Sequence, residues 1–333
     1  MGGWFMENTV LILTNSNDGQ HTDIVIQKIE ELGGRIFRFD SNRLASGELQ
    51  INLYANSDRF ECEMIDSGKT VCSEEIKSVW YRRPNRFNFS IKDFVQKQYA
   101  ENEIRQFLEG LWLGLRGKFW LNNPASLEKA RKKIFQLELA RSMGFKIPRT
   151  IVTNNPLKVK KFFLDCNRRI IFKAISCEFL DYGDKSFNIP TTLITADHFE
   201  RLELIRNTPS LFQECLDKAY ELRVTVVGKK IFSIKIDSQS NQSTMIDWRH
   251  PQFIDKLSYS LSDLPKEISQ KCLTMLKKLN LVFGAFDFVV DTNGEFYFLE
   301  VNPNGQWYWL EHLTGVSISD AIANILITTK ERR

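Results

Sequence analysis

Between Phe283 and Trp307 the chain reads FGAFDFVVDTNGEFYFLEVNPNGQW, two apolar, aromatic-rich runs on either side of Asn293-Gly294. Asn-Gly favours the central pair of a type I′ turn, so the runs are expected to form an antiparallel hairpin. With Thr292 opposite Glu295, side-chain alternation sets Asp287 directly opposite Glu300. A longer loop from Asp291 to Gly294 would make that pair diagonal while keeping both acids on one face. Asn302 points the same way, and Phe286, Phe288, Tyr297, Leu299 and Val301 take the opposite, core-facing side. Like charges opposed on a sheet repel unless a cation lies between them. Asp287, Glu300 and Asn302 are therefore candidate magnesium ligands, because magnesium takes oxygen donors and often only one or two carboxylates, with phosphates and water completing its shell. The competing reading is a surface hairpin with two solvated acids.

The chain of 333 residues, 43% hydrophobic and 26% charged, is long enough for more than one domain. Its net charge of +4 leaves no strongly basic footprint for nucleic acid. No apolar run reaches the roughly 18 residues of a membrane span, and Met1 to Val10 lacks the pattern of a signal peptide, so a cytoplasmic protein is expected. The 6 cysteines and 4 histidines show no zinc spacing, and the cysteines read as buried, reduced and structural.

Thr9–Thr14, the helical pattern through Ile24, Ile26, Ile29 and Leu32, and Arg35–Phe39 form a β-α-β unit without a GxGxxG loop. Residues 48–72 alternate like short antiparallel strands, and Lys77–Pro84 is a strand ending in Arg82 and Arg83. Those arginines fit either solvent or a carboxylate or phosphate that they would grip bidentately. A helix is expected over Ile91–Leu115 and another over Ser126–Met143, the latter carrying Lys132 and Lys133. Lys173 is the single lysine in the apolar strand Arg169–Ala174, a costly placement unless it meets an anion. Residues 176–195 suggest an acidic, aromatic hairpin with Asp181, Tyr182 and Asp184. Strands at Ser210–Cys215, Tyr220–Val227 and Lys230–Ile236 lead to a charged tip, where Asp247 and Arg249 share a side if Ser243–Arg249 is extended. Helices over Asp263–Leu279 and Ser317–Ile327 flank the opening hairpin.

In this order, WYRRP at Trp80–Pro84, KIFQLELA at Lys133–Ala140, PRTIVTN at Pro148–Asn154, FQE at Phe212–Glu214, ELRVTVVG at Glu221–Gly228, DWR at Asp247–Arg249 and the FDF…FLEVNPNGQW stretch resemble the ATP-grasp ligases. Within that family the chain is most similar to the peptide-macrocyclising branch, the microviridin-type or graspetide synthetases. The resemblance implies a mixed α/β fold with a pre-ATP-grasp domain over residues 6–121, a lid-like central part over 122–212 and a C-terminal antiparallel-sheet domain over 213–333. It implies ATP and magnesium, two ions in all, as cofactors. Lys133 and Lys173 would neutralise phosphates, with Lys132 a competitor for the first role. Gln213, Glu214 and Leu216 would form the adenine hinge and Glu221 would hold the ribose, unless it is a solvated strand acid. Arg223 and Arg249 would meet the γ-phosphate and the substrate carboxylate. Asp247 would orient or deprotonate the nucleophile, or merely pair with Arg249. The hairpin acids Asp181 and Asp184 with Tyr182 would dock a precursor's leader helix, with Arg82 and Arg83 as further peptide contacts. A homodimer is expected.

The implied reaction activates a peptide carboxylate as an acyl phosphate, which a hydroxyl or amine of the same peptide displaces to close an ester or amide ring. Another ATP-grasp carboxylate–amine ligase is the first alternative, and a non-catalytic ATP-binding module the second. Residues 1–5 precede a possible start at Met6 and carry no argued role.

Overall fold

Every residue of the strand Thr9–Thr14 is buried, as expected of a central strand covered on both faces. In the computed structural model, which describes residues 9–84, 87, 89–176, 179–182, 185–249 and 252–329, this strand lies between Arg35–Asp40 and Ile76–Tyr81, with Phe119–Leu121 at the edge, all parallel. Val10 and Ile12 face the helices Gln20–Glu31 and Ile318–Thr328, and Leu11 and Leu13 face the helix Phe94–Gly114 and the small sheet formed by residues 50–72. The C-terminal helix thus closes back on the N-terminal domain, which a division of the chain at residue 121 does not anticipate.

The expected helix over Ser126–Met143 is two helices, Pro124–Ala130 and Lys133–Ser142, broken at Arg131–Lys132. The break has a partner: Gln136 donates through Nε2 to the freed carbonyl of Ala130 at 2.6 Å and to Val301 O at 2.9 Å. Its Oε1 accepts from Val301 N at 2.8 Å, so one buried amide ties the second helix to the acid-bearing strand.

The central sheet runs Thr192–Leu193, Ile170–Lys173, Ser210–Glu214, Thr150–Thr153. The boundary expected between residues 212 and 213 therefore falls inside a strand of this sheet. Thr192–Leu193 also belongs to it, so the projecting hairpin is narrower than 176–195 and consists of Phe179–Tyr182 paired with Lys185–Asn188. Asp184 lies outside the described residues, as do residues 1–8.

The C-terminal sheet is antiparallel, in the order Tyr259–Leu261, Lys230–Ile236, Lys218–Val227, Phe283–Asp291, Phe296–Asn302. Leu222, Val224, Val226, Phe286, Phe288 and Phe298 point into a core beneath the helix Lys266–Leu279. Arg223 and Asp287 alternate with these residues and face away from it. No helix among the described residues is long and apolar enough to cross a membrane.

Candidate functional site

The hairpin turns differently from expectation, yet its acids meet. Gly294 N donates to Asp291 O at 3.0 Å and Asp291 N to Glu295 O at 3.1 Å, closing a three-residue loop with Gly294 at φ +81°. Val290 then pairs with Phe296 and Phe288 with Phe298, one step off the two-residue register. A β-bulge at Leu299 restores it, and Asp287 pairs with Glu300. The bulge also corrects the face assignment. Phe298, not Leu299 or Tyr297, joins Phe286 and Phe288 in the core, and Leu299 faces the cleft.

Three strands now carry a row of charges, because Arg223 pairs in register with Asp287 and Asp287 with Glu300. Arg223 Nη1 lies 2.8 Å from both carboxylate oxygens of Asp287. Lys133, first residue of its helix, reaches Glu300 Oε2 at 3.3 Å and donates to Ala174 O at 2.9 Å. Arg249 Nη1 is 4.0 Å from Glu300 Oε1. Lys132 points away into solvent and pairs with Glu128, which separates the two neighbouring lysines.

These groups shift one another. Burial raises the Asp287 carboxyl above its ordinary range, and the Glu300 charge adds to this against the opposing effect of Arg223. Burial acts on Glu300 in the same sense, but Lys133, Arg249 and Lys173 outweigh it and hold that carboxylate below its ordinary range. Lys173 is lowered by burial, against the attraction of Glu300 and with repulsion from Arg249, Lys218 and Lys133.

The cleft beside this row holds about 520 Å³ of empty space, part of it open to solvent. Pro148, Ile171, Leu216, Ile246 and Trp248 give it apolar walls, and Lys173, Gln213, Glu214, Glu221, Asp247, Arg249, Asp287 and Glu300 bring polar groups. A smaller recess of about 240 Å³ adjoins it, lined by Lys133, Lys173, Thr191, Arg249 and Glu300. Gln213 is buried and donates to Thr150 Oγ1 at 3.0 Å, while Glu214 accepts from Arg149 N at 2.8 Å. Glu221 is no solvated acid: it is buried against Lys218 Nζ at 2.9 Å, which also donates to Ile246 O. Asp247 and Arg249 meet across a turn rather than along an extended strand, with Nε to Oδ1 and Nη2 to Oδ2 both at 2.9 Å. That contact overrides the cost of burial and holds the Asp247 carboxyl well below its ordinary range.

Of the expected residues, Asn302, Arg82, Arg83 and Arg223 do not line the cleft. Asn302 is exposed, and its Oδ1 accepts from Asn304 N at 3.0 Å. Arg82 is buried, and Arg83 N donates to Leu13 O at 3.3 Å beyond the end of the parallel sheet. Asp181 pairs in register with Ser186 and Tyr182 with Lys185 on the hairpin. Lys218 and Ile246 are cleft residues that the pattern of the chain did not single out, and Trp248, within the string DWR, has no expected role. A register irregularity between Lys218 and Tyr220 breaks the alternation that could have marked Lys218.

Against known proteins, the family model of the MvdD pre-ATP grasp domain matches residues 9–128. A RiPP-associated ATP-grasp ligase of Chryseobacterium gregarium, solved with ADP and a leader and core peptide, is 30% identical at a TM-score of 0.89, over 96% of both chains. The chain belongs to the ATP-grasp ligases that modify ribosomally made peptides. The macrocyclase MdnC of Microcystis aeruginosa, solved with its precursor peptide MdnA, is 32% identical at a TM-score of 0.84, covering 96% of this chain and 100% of its own. MdnB of the same organism is 32% identical at 0.81, covering 97% and 100%. No curated protein sequence matches.

The side chains of this ATP-grasp ligase fit a magnesium nucleotide. Among the described residues no group of three or more His, Cys, Asp or Glu could hold a metal ion unaided. Two opposed carboxylates beside Arg223, Lys133, Arg249 and Lys173 suit an ion that relies on phosphate oxygens for the rest of its shell.

Proposed function

We propose that this ATP-grasp ligase activates a side-chain carboxylate of a ribosomally made precursor peptide and joins it to a hydroxyl or amine of the same peptide, closing a ring. The observation that carries the reading is the row Arg223–Asp287–Glu300, whose two acids line a cleft together with Lys173, Gln213, Glu214 and Leu216. It gains support from relatives at 30–32% identity that are macrocyclases or peptide-bound ligases.

Transfer of a phosphoryl group from ATP to the carboxylate, with ADP leaving, would make a poor electrophile into an acyl phosphate, and magnesium, two ions in this reading, would supply neutralising charge when bound. Asp287 and Glu300 would hold the metal, with Asn302 as a third donor. Lys133 and Lys173 bind phosphate oxygens as point charges. Gln213, Glu214 and Leu216 seat the base between Pro148, Ile171 and Trp248, and Glu221 accepts from ribose hydroxyls. Arg223 and Arg249 spread the charge that develops on the transferring group. Asp247 holds the Arg249 guanidinium through two contacts at 2.9 Å and so orients it.

The same proposal places a leader helix on the Phe179–Asn188 hairpin beside Asp181, Tyr182 and Asp184, and makes the enzyme a homodimer. Asp181→Lys with Asp184→Lys is expected to weaken precursor binding, and unchanged binding would remove the hairpin from the account. Incubating the enzyme with precursor, ATP and magnesium should lower the peptide mass by one water per ring. Gain of an amino-acid mass would point instead to a ligase that extends peptides.

A further inference from the structure

The turn Asn302–Gln306, which leaves the acid-bearing strand, lies between two arginines from different domains. Arg82, just past the strand Ile76–Tyr81, is 1% exposed. Its Nη1 donates to Asn304 O at 3.1 Å, Asn304 Oδ1 at 3.3 Å and Gly305 O at 3.4 Å. Asn304 Nδ2 donates back to Arg82 O. Behind it, Arg82 Nε lies 3.3 Å from Asp18 Oδ2, which also accepts from Thr14 Oγ1 at 3.1 Å and Thr22 Oγ1 at 2.7 Å.

On its far side the same turn touches the site. Arg223 Nη2 donates to Gln306 O at 3.2 Å, and a Cβ added to Gly305 would lie 2.7 Å from that nitrogen. Asn304 N donates to Asn302 Oδ1 at 3.0 Å, which sets the direction of the Asn302 amide. Only glycine leaves room for the main chain between Arg223 and the Asn304–Gly305 carbonyls that Arg82 grips.

Burying a guanidinium here is costly, and burial pushes its pKa down to about 10. An apolar side chain would fill the space without that cost, but it could not face Asp18 through Nε and hold the turn's acceptors through Nη1 at once, as a planar guanidinium does. We propose that Arg82 is a positioning residue of the nucleotide–metal site: from the N-terminal domain it fixes the Asn302–Gln306 turn, and through it Asn302 and the Arg223–Asp287 pair. The proposal rests on the reading of Asp287, Glu300 and Asn302 as the metal site.

The test is equilibrium binding of ADP to the full chain, once with Mn2+ and once in EDTA, in parallel with thermal unfolding. Arg82→Met is expected to weaken metal-dependent ADP binding roughly tenfold to a hundredfold, as for other residues that orient metal ligands, and to leave binding in EDTA unchanged. Arg82→Lys recovers only part of the loss, since one ammonium cannot serve Asp18 and the turn's acceptors together. If Arg82→Met does not fold, Asn304→Ala takes its place and should show a smaller loss of the same metal-dependent kind. Wild-type metal-dependent binding in the folded variant, or an equal loss with and without metal, overturns the positioning role. Asp287→Asn separates this from the underlying reading: if it too keeps full metal dependence, the metal site itself is misassigned and the proposal falls with it.

Discussion

Arg223 and Asp287 face each other across adjacent strands, with one nitrogen, Nη1, 2.8 Å from both carboxylate oxygens. Their side chains are 8% and 13% exposed. Removing the cation leaves a buried carboxylate without compensation, so Arg223→Met should destabilise the protein by about 3–5 kcal/mol in urea unfolding. Adding Asp287→Leu should recover most of that loss, because the unpaired charge is then gone. A double variant no more stable than the single one would show that the pair is not what the site costs the fold.

Lys132 and Lys133 are adjacent in sequence but separated in space by the helix break. Lys132→Ala removes an exposed pair with Glu128 and should leave ADP affinity unchanged. Lys133→Met removes the cation at 3.3 Å from Glu300 and should weaken ADP binding about tenfold, read by calorimetry. The reverse order of effects would reassign the phosphate lysine.

The bulge at Leu299 is tested by its two neighbours. Phe298 is fully buried among Phe145, Phe286 and Phe288, so Phe298→Ala should cost about 3–5 kcal/mol. Leu299→Ala trims a cleft wall, costs less in unfolding and acts on nucleotide affinity instead. Equal losses of stability would place both side chains in the core and remove the bulge.

Much of this architecture is legible in the sequence where periodicity is unbroken. The parallel β-α-β unit follows from the run Thr9–Thr14 and its helix, and the facing of Asp287 and Glu300 follows from alternation on either side of Asn293-Gly294. That pairing holds through two irregularities that cancel, a three-residue loop and a one-residue bulge, and no local residue pattern announces the second. Three other features depend on distant partners: the break at Arg131–Lys132 on Gln136 reaching Val301, the burial of Arg82 on Asn304 and Gly305, and the C-terminal helix on the helix Gln20–Glu31. Within the site, strand-borne acids could be read from spacing, whereas Trp248 and Ile246 reach the cleft from a turn whose shape the sequence does not dictate.

His21 gives the fold a pH dependence. Its ring stands edge-on to Trp307 at 5.2 Å, Nδ1 is buried without a hydrogen-bond partner, and burial with Arg82 and Arg83 nearby lowers its pKa to about 3. The folded state keeps this imidazole neutral while the unfolded state protonates it near pH 6.5. Its stabilisation is therefore complete above that pH and is lost as pH falls toward 3, by at most about 1.4 kcal/mol per pH unit. Unfolding free energies of wild type and His21→Gln between pH 7 and pH 4.5 should diverge at the neutral end and converge at the acid end. Parallel curves would mean that His21 titrates alike in both states.

The central claim is that Asp287 and Glu300 hold the metal with which this enzyme activates a carboxylate. Its most direct measurement is the intact mass of the precursor after incubation with ATP, magnesium and either wild-type enzyme or Glu300→Gln, with ADP release followed in the same reaction. The account predicts loss of one water per ring and matching ADP release with wild type, and neither with Glu300→Gln, although the variant folds and binds precursor. Ring formation at the wild-type rate by Glu300→Gln would contradict it.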